Sequence, residues 1–64
     1  MEKLEKLWNE FLDMVDSNYT RERMNAFIEK GNKTAGKDVR MALMDISKKC
    51  KEVRDAIQAV KNAQ

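Results

Sequence analysis

The chain has no histidine, no proline, one cysteine and two glycines in 64 residues. Each scarcity removes a class of structure or function. Without His the commonest general base is missing, and none of the usual nucleophile–base pairs can be assembled. The expectation is a protein that is not an enzyme. Cys50 alone cannot close an intrachain disulfide, and with no His the soft ligands of a zinc site are too few. Neither a metal nor a cofactor is expected. No long apolar run exists, so no helix is expected to span a membrane, and Met1-Glu2 opens no cleavable signal pattern. A reducing, cytoplasmic setting follows. The triplets Asn18-Tyr19-Thr20 and Asn32-Lys33-Thr34 then read as chance glycosylation matches. A chain this short buries a modest share of its surface and usually needs a metal, disulfides or a partner. With the first two excluded, self-association is the expected route.

What is present is helix-forming. Leu, Met, Ala, Glu, Lys and Arg dominate, and nothing alternates with period two for long enough to make a strand. The expected fold is all-α: an antiparallel hairpin of two long helices in one domain, residues 1–64, assembling as a dimeric four-helix bundle. In the second half, Val39, Leu43, Ile46, Cys50, Val53, Ile57 and Val60 follow alternating steps of four and three, a seam for shallow-angle helix packing. A helix over about 33–62 would be roughly 45 Å long, too long to bury that seam against itself. In the first half, Leu4, Leu7, Phe11 and Met14 form one apolar line, and Trp8, Leu12, Val15 and Tyr19 a second beside it. So wide a stripe suits a helix with two neighbours. Leu4, Trp8, Phe11 and Val15 join the seam residues as expected core or dimer positions.

The expected first helix runs over about 2–30, and Glu2 and Glu5 suit its positive end. Asp16-Ser17-Asn18-Tyr19-Thr20 is its weak point, because these side chains compete for backbone hydrogen bonds. The periodicity favours continuation with a kink, with Asn18 or Thr20 as the new cap if the helix restarts. Gly31-Asn32 tolerates left-handed backbone and reads as a tight turn. Gly36 falls inside the second helix, where its missing side chain would let another backbone approach.

Charge is unevenly spread. Residues 1–20 carry two Lys against five acids, and residues 21–64 carry eleven Lys or Arg against six acids. The segment Lys30 to Arg40 holds both glycines and four cations, with Asp38 its only acid. Gly31 to Lys37 fits G-x-x-x-x-G-K but fails at Asp38, where a phosphate loop needs Ser or Thr for Mg²⁺. The motif also needs a preceding strand. Two readings remain: solvated lysines beside a turn, or a face for nucleic acid. At about 100° per residue, Lys33, Lys37, Arg40, Lys48 and Lys51 share an arc roughly 80° wide, away from the seam. Asp38, Asp45 and Glu52 repeat every seven residues on the opposite flank. Such sorting lets each cation reach a phosphate without an acid beside it, and it equally suits salt bridges between paired helices. Met41 and Met44, near this arc, read as packing residues, as do Trp8, Tyr19 and Cys50.

Lys30-Gly31-Asn32-Lys33-Thr34-Ala35-Gly36, with Val39-Arg40 and the Lys48-to-Arg54 stretch, resembles the chlamydial-type, linker-histone-like DNA-binding proteins of bacteria over about residues 24–57. The resemblance implies a small helical protein that binds double-stranded DNA with little sequence preference, compacts it, and resides in the cytoplasm and nucleoid, or in the host cytoplasm if viral. Carried over by position, Lys30, Lys33, Lys37, Arg40, Lys48, Lys51 and Arg54 would contact phosphates. It also implies a tail rich in Lys, Ala and Pro, which these 64 residues do not include. The N-terminal helix here is more acidic than the family pattern. The expected function is a nucleoid-associated, histone-like protein, a homodimer without a membrane role. The alternative is a scaffold module whose helices assemble with no nucleic-acid partner.

Overall fold

The computed structural model describes residues 2–63. They form three helices: α1 (Glu2–Val15), α2 (Asn18–Lys30) and α3 (Lys33–Ala63). The all-α expectation holds. The single kinked helix expected over the first half is instead two helices, broken at Asp16-Ser17. Ser17 has extended backbone, and its hydroxyl accepts from the Thr20 N–H at 3.3 Å. The cap is thus Ser17 rather than Asn18 or Thr20, because a cap side chain reaches the amide three residues on. Arg21 stitches the break by pairing with Asp16 across it and donating to the Asn18 side chain.

The turn at Gly31-Asn32 divides its work between two residues. Gly31 takes left-handed backbone, φ 66°, and its N–H donates to the Phe27 carbonyl at 3.0 Å. The Asn32 N–H donates to the Ala26 carbonyl, so both close the end of α2. The Asn32 side chain then accepts from the Ala35 N–H at 3.1 Å and caps α3.

From that turn, α1 and α2 run in succession along α3, and both pack on it. The result is a rod one helix thick and two wide, with Cα extents of 51 × 16 × 11 Å. The covered line of α3 is Ala35, Val39, Ala42, Ile46, Lys49, Val53, Ala56 and Val60. Ala35 is fully buried, and Val39 and Val53 are 7 % exposed. Leu4, Leu7, Phe11, Met14, Thr20, Arg23 and Ala26 answer from α1 and α2, each half-buried. Alanine in this line lets the helices approach closely. The expected seam shares only Val39, Ile46, Val53 and Val60 with it. Leu43, Cys50 and Ile57 lie one step round the helix, with Leu43 55 % and Ile57 43 % exposed. One chain does not cover the whole seam, nor Trp8 and Val15 on α1.

The charged members of the packed line are paired. Arg23 donates to Asp38 at 3.0 Å, and Lys49 reaches Glu52 at 3.0 Å and Glu10 at 3.8 Å. The hydrogen bond to Glu52 holds the Lys49 pKa above its ordinary 10.5; partial burial opposes this, and Glu10 adds to it. A raised pKa means the charged form is favoured by folding. The contribution is therefore complete below 10.5 and disappears as pH climbs through the folded value. Thermal melts from neutral to strongly alkaline pH should show a decline that Lys49→Met makes shallower. An unchanged profile in that variant would remove Lys49 from the account.

Candidate nucleic-acid interface

Helix α3 packs along one side, so its other side is a long free edge. Lys33, Lys37, Arg40, Lys48 and Lys51 are all exposed there, Arg54 is exposed at the margin beside Cys50 and Val53, and Lys30 is exposed beside the turn. Among the described residues, none of these seven takes part in an ion pair. The cations that are paired, Arg21, Arg23 and Lys49, are different ones. The reason is rotational: the core line and the cationic arc lie nearly opposite on the α3 wheel, while Asp38 and Lys49 sit at the edge of the packed line. Asp38 is engaged across the helix interface and Glu52 within α3, and both pairs lie away from the cationic arc.

Three residues interrupt or flank the run of cations, and of these only Asp55 is not anticipated by the sequence pattern above. Asp55 falls within it by register, one turn beyond Lys51, and closes it at the C-terminal end. Met44 also falls within it, between Arg40 and Lys48, and is 59 % exposed; Met41 is exposed nearby. Both methionines were expected to pack, and one chain offers them nothing to pack on. Met44 leaves a gap of two turns in the run of cations. The helical wheel carries all this information, since position alone places Asp55 and Met44 among the lysines.

The near-match to a phosphate loop dissolves. Thr34 to Asp38 is helix, and the Gly36 N–H donates to the Asn32 carbonyl at 3.1 Å, so the stretch is a capped helix start rather than an open phosphate loop. The close approach expected at Gly36 occurs, but a ring makes it rather than a backbone. A Cβ there would stand 2.7 Å from Phe27 Cδ1. Phe27 lies across the space Gly36 leaves open, and with Met24, Val39 and Leu43 it lines an apolar groove rimmed by Lys33, Lys37 and Arg40.

These features define the class of protein: a small all-α hairpin with a segregated cationic edge and no metal-binding cluster among the described residues. The family model for the histone H1-like protein Hc1 matches residues 1–63, and the chain belongs to that family. Membership carries a histone-like, DNA-binding role in general terms and extends the resemblance from about residues 24–57 to residues 1–63. No curated protein and no solved structure matches the chain. No helix among the described residues is long and apolar enough to cross a membrane.

Proposed function

We propose that the protein binds double-stranded DNA of the nucleoid without sequence preference, through phosphate contacts along the free edge of α3, and that it does so as a homodimer. The observation that carries this reading is the row of exposed, unpaired cations opposite the packed face. Lys30, Lys33, Lys37, Arg40, Lys48, Lys51 and Arg54 are the proposed contacts. From Lys33 to Arg54 the edge runs about 31 Å at 1.5 Å per residue, close to one turn of duplex at about 34 Å. Lysine and arginine on a smooth helix edge supply charge without the convergent donors that read base edges, so affinity would come from counterion release. A single chain offers few contacts, and pairing doubles them.

Fluorescence titration of two unrelated duplexes at about 50 mM and about 200 mM salt tests this reading. Equal affinities that fall steeply with salt support it. Absence of binding at the lower salt overturns it and leaves the scaffold reading, which the uncovered apolar residues of the hairpin favour. A gain-of-function variant sharpens the test. Met44→Lys fills the gap in the edge and should steepen the slope of log affinity against log salt by about 0.9 per chain. An unchanged slope would place the bound DNA elsewhere.

A further inference from the structure

The two broad faces of the hairpin are chemically unlike. One carries the ion pairs that cross between helices, Arg23–Asp38 and Glu10–Lys49, together with Asp45 and Glu52. The other carries none. It presents two largely apolar grooves in line: Met24, Phe27, Gly36 and Leu43 toward the turn, and Trp8, Phe11, Cys50 and Val53, rimmed by Arg54, toward the open end. Trp8 is stacked on Phe11 with ring centroids 5.5 Å apart, yet remains 48 % exposed, and Phe27 is 45 % exposed. The α3 share of this face is a stripe with a spacing of seven: Gly36, Leu43, Cys50 and Ile57. The rod is one helix thick, so no described residue covers it.

We infer that a second copy of the chain covers this face, stacked antiparallel, with the two-fold axis crossing α3 near Cys50. The inference deepens the dimer part of the proposed function and rests on it. Three observations select the occupant and its direction. First, the stripe is symmetric about Cys50, with Leu43 seven residues before and Ile57 seven after. Antiparallel stacking sets Cys50 over its mate and Leu43 over Ile57 of the second copy. Second, charge is polarised along the rod. The turn half, residues 18–44, has six basic and three acidic residues, net +3, whereas the open half has seven basic and eight acidic, net −1. Antiparallel stacking lays the positive half on the negative half, and parallel stacking lays +3 on +3. Third, Cys50 is a small residue at the proposed crossing point, where α3 must meet its mate closely.

This geometry has a functional consequence. When α3 lies on α3 about such an axis, both cationic edges fall on the same side of the four-helix bundle. Their axes would be about 8–10 Å apart, as packed helices are. A parallel stack about the long axis would instead put α3 over the α1–α2 arm and send the edges to opposite sides.

Cross-linking of the full chain, with mass by light scattering, tests the inference. Mild oxidation should convert the wild type to a disulfide-linked dimer through Cys50. In a Cys50→Ser background, Leu43→Cys alone and Ile57→Cys alone should stay uncross-linked, while their mixture cross-links. Leu43→Asp should give a monomer of unchanged helicity. A dimeric mass in which Leu43→Cys and Ile57→Cys each cross-link to themselves overturns the antiparallel direction while the dimer stands. A dimeric mass with no cross-link in any variant overturns the choice of face. A wild-type monomer at high micromolar concentration overturns the inference and the dimer reading together, and the DNA titration then stands or falls by itself.

Discussion

Replacing Lys33, Lys37 and Arg40 together with alanine lowers DNA affinity by about two to three orders of magnitude at about 0.1 M salt. The magnitude follows from counterion release. Each lost phosphate contact reduces the slope of log affinity against log salt by about 0.9, so three reduce it by about 2.7. The three side chains are exposed, make no ion pair among the described residues, and occupy the first two turns of α3. Alanine is the strongest helix former, so helicity is retained and the loss belongs to binding. The control has the same change in net charge in a different place. Lys3→Ala, Lys6→Ala and Lys61→Ala together should leave the slope nearly intact, because these lysines stand apart from the proposed edge. Equal losses in the two triple variants would mean that net charge, rather than a sorted edge, governs binding.

Val53→Asp abolishes the fold. Val53 is 7 % exposed in the packed line. Leaving a carboxylate there without a partner costs about 3 kcal/mol or more, and a core this small rarely supplies more than about 3–5 kcal/mol in total. Circular dichroism should show the helical signal of the variant largely lost at room temperature. Leu43→Asp is the instructive contrast. It is the same apolar-to-acid change on the same helix, at a position that one chain leaves 55 % exposed. Helicity should survive there and only self-association should fail. If both variants unfold, folding and pairing are inseparable; if both stay helical, Val53 is not the core residue described above.

That contrast shows what periodicity could reveal and what it could not. Hydrophobic spacing picks out Val39, Ile46, Val53 and Val60, and these do pack. It counts Leu43, Cys50 and Ile57 with them, because an apolar residue one step round the helix satisfies the same rhythm. The line actually covered alternates instead with Ala35, Ala42, Lys49 and Ala56. Alanine gives a weak hydropathy signal but permits close helix contact, and Lys49 enters the line by pairing its ammonium with Glu52 and Glu10. Which flank faces the arm is therefore a matter of small residues and ion pairs rather than of bulk. The break at Asp16-Ser17 was legible as a weak point, yet its cap was not, since Ser17, Asn18 and Thr20 all have suitable side chains. The turn was fully legible, because Gly31 and Asn32 are the residue types that a left-handed stop and a helix cap demand. Of the proposed interface, the cationic arc could be read from the wheel alone, and so could Asp55 and Met44. That those cations make no ion pair among the described residues could not, because it depends on how the packed side chains are arranged.

The most direct test of the central proposal is a residue-resolved NMR titration of the labelled protein with a short duplex of arbitrary sequence. The account predicts that amide shifts and line broadening concentrate at Lys30, Lys33, Lys37, Arg40, Met44, Lys48, Lys51 and Arg54, with α1 little affected and the changes reversed by added salt. Perturbations centred on α1, or on the ion-paired face around Glu10 and Glu52, would contradict it.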